Sequence, residues 1–441
     1  MANSSILKPQ EQLRTESGMT CIVEELLGEG GQGEVYKSDL SGKKLALKWY
    51  YPHSATPDQR QALADLISRG KPDERFLWPV DLVASTNHAE FGYIMPLRDA
   101  KFSGIVDLMK RRVQTTFHSL CTAGFNIADS YFHLHTSGFC YRDISFGNVF
   151  FHPENGDVLI CDNDNVTENE AKKTSILGTP RFMAPEIVRG EAFPSTDTDL
   201  YSLSVLLFYL FMTHHPLEGK QEADMPIFDA EAQKRIYGDN PIFIFDPRNT
   251  SNRPEPGYQK NALIFWPLYP QFLRDLFTRA FTDGLRDPKN GRVRENEWRS
   301  AIIRLRDSIF YCPHCKAQNF YDVDHLKKTS GTPAPCWRCK KSVKLPFRIR
   351  AGNEIIMLNN DTKLFPHHID PRQKWDFSHP VAEIKQHPTI ANQWGLRNIS
   401  KEKWVLVRPD GTIQEVEPGR NVPLTVGNKI QFGTSEGEIG Y

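Results

Sequence analysis

Tyr141-Arg142-Asp143-Ile144-Ser145-Phe146-Gly147-Asn148, followed nineteen positions after its first aspartate by Asp162, is the stretch around which the chain is organised. Asp143 and Asp162 carry carboxylates and Asn148 an amide. At these spacings they supply a base for a hydroxyl and two ligands for a magnesium-bound nucleotide. That chemistry is phosphoryl transfer. A lone Arg-Asp pair is more often a surface turn, so the reading depends on what flanks it.

Upstream, Gly28-Glu29-Gly30-Gly31-Gln32-Gly33-Glu34-Val35 has the form G-x-G-x-x-G-x-V, and Leu45-Ala46-Leu47-Lys48 ends twenty residues from its start. A G-x-G-x-x-G also fits a dinucleotide-binding turn, but that motif needs a helix directly after the glycines. Here Val35-Tyr36-Lys37, a Leu40-Ser41-Gly42-Lys43 turn and a second apolar alternation ending at Lys48 predict a hairpin. With no side chains in the way, backbone N–H groups of the glycine loop can close over phosphates. Downstream, Gly178-Thr179-Pro180 leads into Ala184-Pro185-Glu186, and Asp199-Leu200-Tyr201-Ser202 opens a long apolar helix.

With the glycine loop, lysine, catalytic loop, second aspartate and A-P-E in this order, residues 20–308 resemble the eukaryotic-like protein kinase family. The resemblance implies an α+β, bilobal protein-kinase fold with a small lobe over 20–97 and a large lobe over 98–308. It implies ATP and magnesium as cofactors. Gly28, Gly30 and Gly33 would cover the phosphates, and Val35, Ala46, Met95 and Leu97 would bind the nucleotide base, with Met95 as gatekeeper. Lys48 would hold the α- and β-phosphates, Asp143 would orient the substrate hydroxyl and accept its proton, and Asn148 and Asp162 would hold magnesium. Glu186 would pair with Arg292.

Several positions depart from the family pattern. Tyr141 replaces the usual histidine, and Asp162-Asn163-Asp164 stands where the family has D-F-G. Ser145 and Gly147 occupy the places of the serine/threonine- and tyrosine-kinase cations, a loss that can slow transfer by orders of magnitude. No glutamate lies between Lys48 and Glu74, so Asp65, on a helix predicted from Pro57 to Ser68, is expected to pair with Lys48; Asp58 is a poorer candidate. Thr174 and Ser175, after Lys172 and Lys173, are the expected activating phosphorylation sites facing Arg142. Thr179 is expected beside Asp143. His133 and His135, at the end of a helix expected over 117–137, receive no role.

Cys312-Pro313-His314-Cys315 and Cys336-Trp337-Arg338-Cys339 are separated by twenty residues. Two knuckles at this spacing supply four thiolates for a closed tetrahedral zinc, the zinc-ribbon pattern, assigned to 309–345. Short-loop disulfides or four free thiols explain the spacing poorly, and His314 is a second-choice ligand. Strands are predicted from Glu354 to Leu358, Trp404 to Arg408, Ile413 to Glu417 and Lys429 to Phe432, with a turn at Pro409-Asp410-Gly411-Thr412. Residues 346–441, through Gly395 to Ser400 and Val426 to Gly433, resemble a forkhead-associated β-sandwich. The Ser-x-x-His and Asn-Gly signatures that read phosphothreonine there are not recognisable, so a docking or autoregulatory module is expected.

The 441 residues suffice for about three domains. A net charge of zero leaves no global footprint for nucleic acid, which is not expected as a partner. Residues 1–19 are polar, carry no signal pattern and read as a flexible lead-in. The apolar run from Leu203 to Met212 is too short to cross a bilayer. Paired cysteines without a secretion signal favour metal over disulfides and a cytoplasmic location. Residues 219–265, rich in Pro and Asn, read equally as a docking segment or a packing loop. The expected function is an ATP- and magnesium-dependent serine/threonine protein kinase; the competing reading is a pseudokinase scaffold presenting the ribbon and sandwich to partners. A small-molecule phosphotransferase shares the catalytic loop, but the G-T-P and A-P-E segments favour a protein substrate. The whole arrangement resembles bacterial kinases of tellurite-resistance and stress clusters, which by analogy implies a von Willebrand factor A protein and a PPM-type phosphatase as partners.

Overall fold

The computed structural model describes residues 5–169, 177–387, 389–390 and 393–441. Thr174 and Ser175, with Lys172 and Lys173, lie outside the described residues. The chain divides into two units: one takes in the chain up to Ile264 together with Leu276–Arg299, the other Phe265–Asp275 and Ser300–Tyr441.

In the first unit, alternating β1 (Gln12–Thr15) and β3 (Gly33–Leu40) combine with β2 (Thr20–Glu29), with β5 (Asp81–Ala84) and with the continuously buried runs of β4 (Lys43–Tyr50) and β6 (Phe91–Pro96). They close into a barrel in the order β1-β2-β3-β4-β6-β5. The closing strand comes from the segment expected to be a flexible lead-in. Leu7 and Leu13 are buried, the Leu7 N–H donates to the Tyr36 hydroxyl (3.0 Å), and the Ile6 N–H donates to Glu34 (2.9 Å). Four residues with one large apolar side chain are too short a pattern to announce a strand; pairing on both sides creates it.

Helix α1 (Pro57–Arg69) begins at Thr56, whose hydroxyl accepts the Gln59 N–H (3.2 Å), with Pro57 in the first turn. It ends at Gly70, where φ is +75°, and buries Leu63 and Leu66. After β6 come β7 (Ser103–Gly104), α2 (Ile105–Met109), α3 (Phe117–Thr136), β8 (Phe139–Cys140), β9 (Val149–Phe151), β10 (Val158–Ile160), β11 (Thr167–Glu168), α4 (Pro185–Val188) and α5 (Thr196–Met212). Helix α5 is buried on every side from Thr198 to Met212, which explains an apolar run with no polar face. The insertion packs inward as well as outward: Phe243 and Ile244 are buried, and the Asn252 amide donates to Leu217 O (2.9 Å) and Ile242 O (2.7 Å). No helix among the described residues is long and apolar enough to cross a membrane.

In the second unit, β12 (Ile309–Tyr311) and β13 (Gln318–Phe320) form an antiparallel pair. Among the described residues ten further strands follow: β14 (Arg348–Ala351), β15 (Glu354–Met357), β16 (Lys363–Leu364), β17 (Ala382–Gln386), β18 (Trp394–Asn398), β19 (Trp404–Val407), β20 (Ile413–Val416), β21 (Asn421–Pro423), β22 (Lys429–Gln431) and β23 (Glu436–Gly440). They make one sheet ordered β15-β14-β23-β22-β19-β20 and another ordered β16-β17-β18-β21. Ile349, Leu396, Trp404, Val422, Ile430 and Ile439, drawn from both sheets, share one core. The cysteine segment and the tail, expected as separate modules, lie in the same unit. Phe310, Cys312, Ala317, Cys336 and Val343 pack with Met357, and Ile355 joins them from β15.

Met357 is 1 % exposed, so Met357→Ala is expected to cost about 2–5 kcal/mol. Hydrogen exchange should then rise in β12 and β13 as well as in β15; a rise confined to β15 would show that the two segments do not share a core.

Candidate active site

Helix α5 anchors the catalytic loop. Its N-cap, Ser195, forms a reciprocal box with Thr198, which sets Asp199 in the first turn. One Asp199 carboxylate oxygen accepts the Tyr141 N–H (2.5 Å) and the other the Arg142 N–H (3.1 Å). Arg142 has φ of +70°, and its Nε donates to Asn165 O. Tyr141 is fully buried, and its hydroxyl donates to Cys161 O. His135, at the end of α3, lies between Asp199 (Nε2, 3.2 Å) and Glu295 (Nδ1). Burial disfavours the imidazolium, but the two carboxylates outweigh it and push the His135 pKa up to about 9. His135 is thus a functional support that the sequence reading left without a role.

The β9–β10 hairpin turns a sequence separation into a site. Val149 pairs with Ile160, and the Cys161 N–H donates to Asn148 O (2.8 Å), so Asn148 and Asp162 flank one end of the hairpin. The Asn148 amide donates to Asp143 O (2.9 Å) and to its carboxylate (3.2 Å). The other Asp143 carboxylate oxygen accepts the Thr179 N–H (2.8 Å) and hydroxyl (2.7 Å). Burial raises the Asp143 pKa, with Thr179 and Asn148 acting against that rise. Gly178 has φ of +106°, and a Cβ there would stand 2.8 Å from Arg142 O, so glycine is needed to bring Thr179 against the loop.

The residues expected to bind the nucleotide base also converge. Val35 lies opposite Lys48 across β3–β4, and Ala46 opposite Met95 across β4–β6. Ala46 and Met95 are buried in one cluster against which Val35 and Leu97 pack. In the glycine loop, the Gly30 N–H donates to Gly33 O (2.9 Å). A Cβ on Gly28 or Gly30 would meet nothing within 4 Å, whereas one on Gly33 would lie 2.1 Å from Trp49 O. Gly28 and Gly30 therefore border open space, and Gly33 is dictated by the packing of the hairpin.

Lys48 does not pair with Asp65. Asp65 is exposed on α1 and accepts from Gln61 (2.9 Å). Helical phase explains the difference: α1 turns Leu63 and Leu66 inward, and Asp65 lies off that face. The Lys48 ammonium instead donates to Asp164 (2.7 Å) and Gln32 (3.1 Å), and stands 3.7 Å from Asp162. Burial works against its charge, but Asp164 and then Asp162 raise its pKa on balance. The residue that α1 turns toward the site is Gln59, four positions before Leu63. Its amide donates to the Tyr50 hydroxyl (3.1 Å) and to Asp164 O (3.4 Å). Asn163, in the place of the family's phenylalanine, is fully buried and donates to Ile160 O (3.0 Å).

Half-buried Glu186 and buried Arg292 form an ion pair (2.5 Å), and Arg292 also donates to Asp197 O (2.6 Å). Elsewhere, the Sγ atoms of Cys312, Cys315, Cys336 and Cys339 lie within 4.8 Å of one another. The approaches between knuckles are 3.7 Å for Cys312–Cys339 and 3.7 Å for Cys315–Cys336. A tetrahedron with Zn–S bonds of about 2.3 Å has edges of about 3.8 Å, so the donor set fits that ion, whereas a disulfide needs about 2.05 Å. Each knuckle has the same turn: the Lys316 N–H donates to Cys312 O (3.0 Å) and the Lys340 N–H to Cys336 O (2.8 Å), with φ near +60° at both lysines. His314 is exposed and outside the cluster.

A barrel-like small lobe, a helical large lobe and a carboxylate–amide–carboxylate set between glycine loop and helix α5 make up a bilobal kinase-type domain. The chain belongs to the protein kinase domain family, whose model matches residues 21–259. It is 23 % identical over 228 residues to a probable serine/threonine-protein kinase of Dictyostelium discoideum, covering 50 % of this chain and 14 % of that protein. It is 35 % identical over 117 residues to ribosomal protein S6 kinase alpha-4 of Mus musculus, covering 25 % of this chain and 14 % of that protein. Protein kinase C-like 2 of Schizosaccharomyces pombe is 26 % identical over 201 residues, or 44 % of this chain and 17 % of that protein. The chain thus spans less than a fifth of the length of these relatives.

The raised His135 pKa carries a pH dependence. A pKa of about 9 in the folded state, above the ordinary histidine value, gives stability that is full below about pH 6.5 and lost as pH rises through 9. The loss is on the order of 3 kcal/mol. His135→Gln is expected to flatten the melting-temperature profile of the kinase domain over that window; a profile unchanged by the substitution would show that His135 is not charged.

Proposed function

We propose that the protein is an ATP- and magnesium-dependent serine/threonine protein kinase. The observation that carries the reading is the convergence of Asp143, Asn148, Asp162 and Lys48 beside an open glycine loop in a chain of the kinase family. The serine/threonine specificity follows the names of its relatives and the Thr179 contact to Asp143.

In this mechanism Val35, Ala46, Met95 and Leu97 hold the adenine, and the glycine-loop amides and Lys48 hold the phosphates. Asp143 orients the substrate hydroxyl, whose oxygen bonds to the γ-phosphorus as the bond to the bridging oxygen breaks and ADP leaves. The hydroxyl proton passes to Asp143. The Asn148 amide N–H groups are turned to Asp143, which leaves its carbonyl oxygen, with the 40 % exposed Asp162 carboxylate, as magnesium ligands. Magnesium bound there would neutralise charge on the transferring group.

The cysteine cluster is proposed as a structural zinc ribbon with a closed four-thiolate site, and the paired sheets as a forkhead-associated-like β-sandwich for docking or autoregulation. A von Willebrand factor A protein and a PPM-type phosphatase are proposed partners, on the bacterial stress-cluster resemblance, in a cytoplasmic setting. Ser145 and Gly147, where the family carries a cation, favour a second reading, a pseudokinase scaffold.

Purified protein is expected to transfer radiolabelled phosphate to itself or to a generic protein substrate, with Asp143→Asn and Lys48→Ala each lowering the rate by at least about 10³-fold. Binding of magnesium-ATP without transfer under any metal or partner condition would favour the scaffold.

Elemental analysis should find one zinc per chain. Cys336→Ala should unfold the ribbon, since structural zinc contributes on the order of 10 kcal/mol to such modules, while the kinase domain keeps its own melting transition. Substoichiometric metal in carefully prepared protein would refute the zinc assignment.

A further inference from the structure

We propose that Asp164 is the positioning residue for Lys48, held on the lysine by the Tyr50 and Tyr93 hydroxyls, so that the phosphate-binding ammonium is fixed by the sheet and the magnesium segment and not by helix α1. The proposal rests on the kinase reading and names how that site is held.

A buried ammonium without a counter-charge costs several kcal/mol. Helix α1 cannot supply one: its two acids, Asp58 and Asp65, are both exposed. Asp164 can. Its side chain is fully buried, and one oxygen accepts from Lys48 (2.7 Å) and from the Tyr50 hydroxyl (2.6 Å), the other from the Tyr93 hydroxyl (3.1 Å). The sequence builds this cradle by strand periodicity. Lys48 and Tyr50 are two apart on β4 and share a face, and Tyr93 is the partner of Lys48 across the β4–β6 ladder. The carboxylate arrives from the opposite lobe: Asp162, at φ of +50°, turns the chain into a single helical turn over Asn163–Asn165 that carries Asp164 inward. A glycine in this third place, as in D-F-G, has no side chain to offer.

The same geometry argues against Asp164 as a second magnesium ligand. Both of its oxygens are taken by donors and neither is exposed, whereas Asp162 is 40 % exposed. Where the acid sits on a mobile helix, swinging the helix breaks the pair and silences the site. Here α1 reaches the cluster through Gln59, and displacing it would leave Lys48 and Asp164 joined. Withdrawal of the 162–165 segment would remove the counter-charge of Lys48 and the magnesium ligand together.

The test compares wild type, Asp164→Asn, Tyr50→Phe/Tyr93→Phe and Asp58→Ala/Asp65→Ala, by steady-state kinetics over a magnesium series and by calorimetric affinity for a non-hydrolysable magnesium-ATP analogue. Asp164→Asn is expected to lower kcat/KM by about 10²-fold and to weaken analogue binding about tenfold at every magnesium concentration. The tyrosine pair, which keeps both rings, should fall between it and wild type, and the α1 variant should stay within about twofold of wild type. Wild-type behaviour of Asp164→Asn, an equal loss in the α1 variant, or recovery of Asp164→Asn at high magnesium would each overturn the proposal. Should wild type transfer no phosphate, the kinase reading fails on its own, and the analogue affinities still decide through the same order. Should Asp164→Asn not fold, an unchanged affinity in the tyrosine pair overturns it.

Discussion

A buried carboxylate at the start of helix α5 carries the candidate active site. The catalytic loop bends through a positive φ at Arg142, and such a bend leaves backbone N–H groups without a ladder partner. Asp199 accepts two of them. Its own burial would be costly, but the helix N-terminus favours a negative charge there, and the His135 imidazolium adds a counter-charge that Glu295 holds from the other side. Farther along α5, the Ser202 hydroxyl donates to Phe182 O (2.6 Å), which fixes the chain just after Thr179. Asp143 is thereby positioned from two directions by one helix: through the loop that follows Asp199 and through the segment that supplies Thr179.

The convergence of these residues was legible in the sequence because the phosphoryl-transfer reading dictates residue type as well as order. Asp143, Asn148, Asp162 and Lys48 must be acid, amide, acid and ammonium, and the glycine loop had to be a hairpin once no helix followed it. The supports were harder to read. His135 and Glu295 are 160 residues apart, and Lys48 and Asp164 are 116 apart. No local pattern announces such a pair. The search for the lysine's acid on α1 followed the family arrangement, and helical phase set against Leu63 would have excluded Asp65 and singled out Gln59 as the inward polar position.

In the second unit the cysteine spacing and the stronger strands were readable, since thiolate knuckles and alternating apolar residues are local signals. Their grouping was not. Strand β14 pairs with β15 through a short turn and with β23, so Arg348 lies opposite Gly440, a contact set by the core and invisible to periodicity. Met357 and Ile355, on the same strand as Ile356, reach into the cysteine cluster, while Ile356 faces the common core of the sheets. One strand with two apolar faces merges what length and composition had divided, as a strand covered on both sides should.

Asp162 and Asp164 are the same residue type two positions apart, and environment alone separates them. Asp162 keeps an open side. Asp164 is enclosed; burial works against its charge, but Lys48 and the two tyrosine hydroxyls outweigh that and hold its carboxyl below the usual range. Two carboxylates this close repel each other, and the single ammonium between them offsets that repulsion only while it stays at both. A lysine held this way is indexed to the segment proposed to bind magnesium. In an arrangement with the acid on a separate helix, lysine and metal ligand can be misaligned independently. On this chain they form one unit tied to β4 and β6, so the order of the 162–165 turn decides whether both are in place.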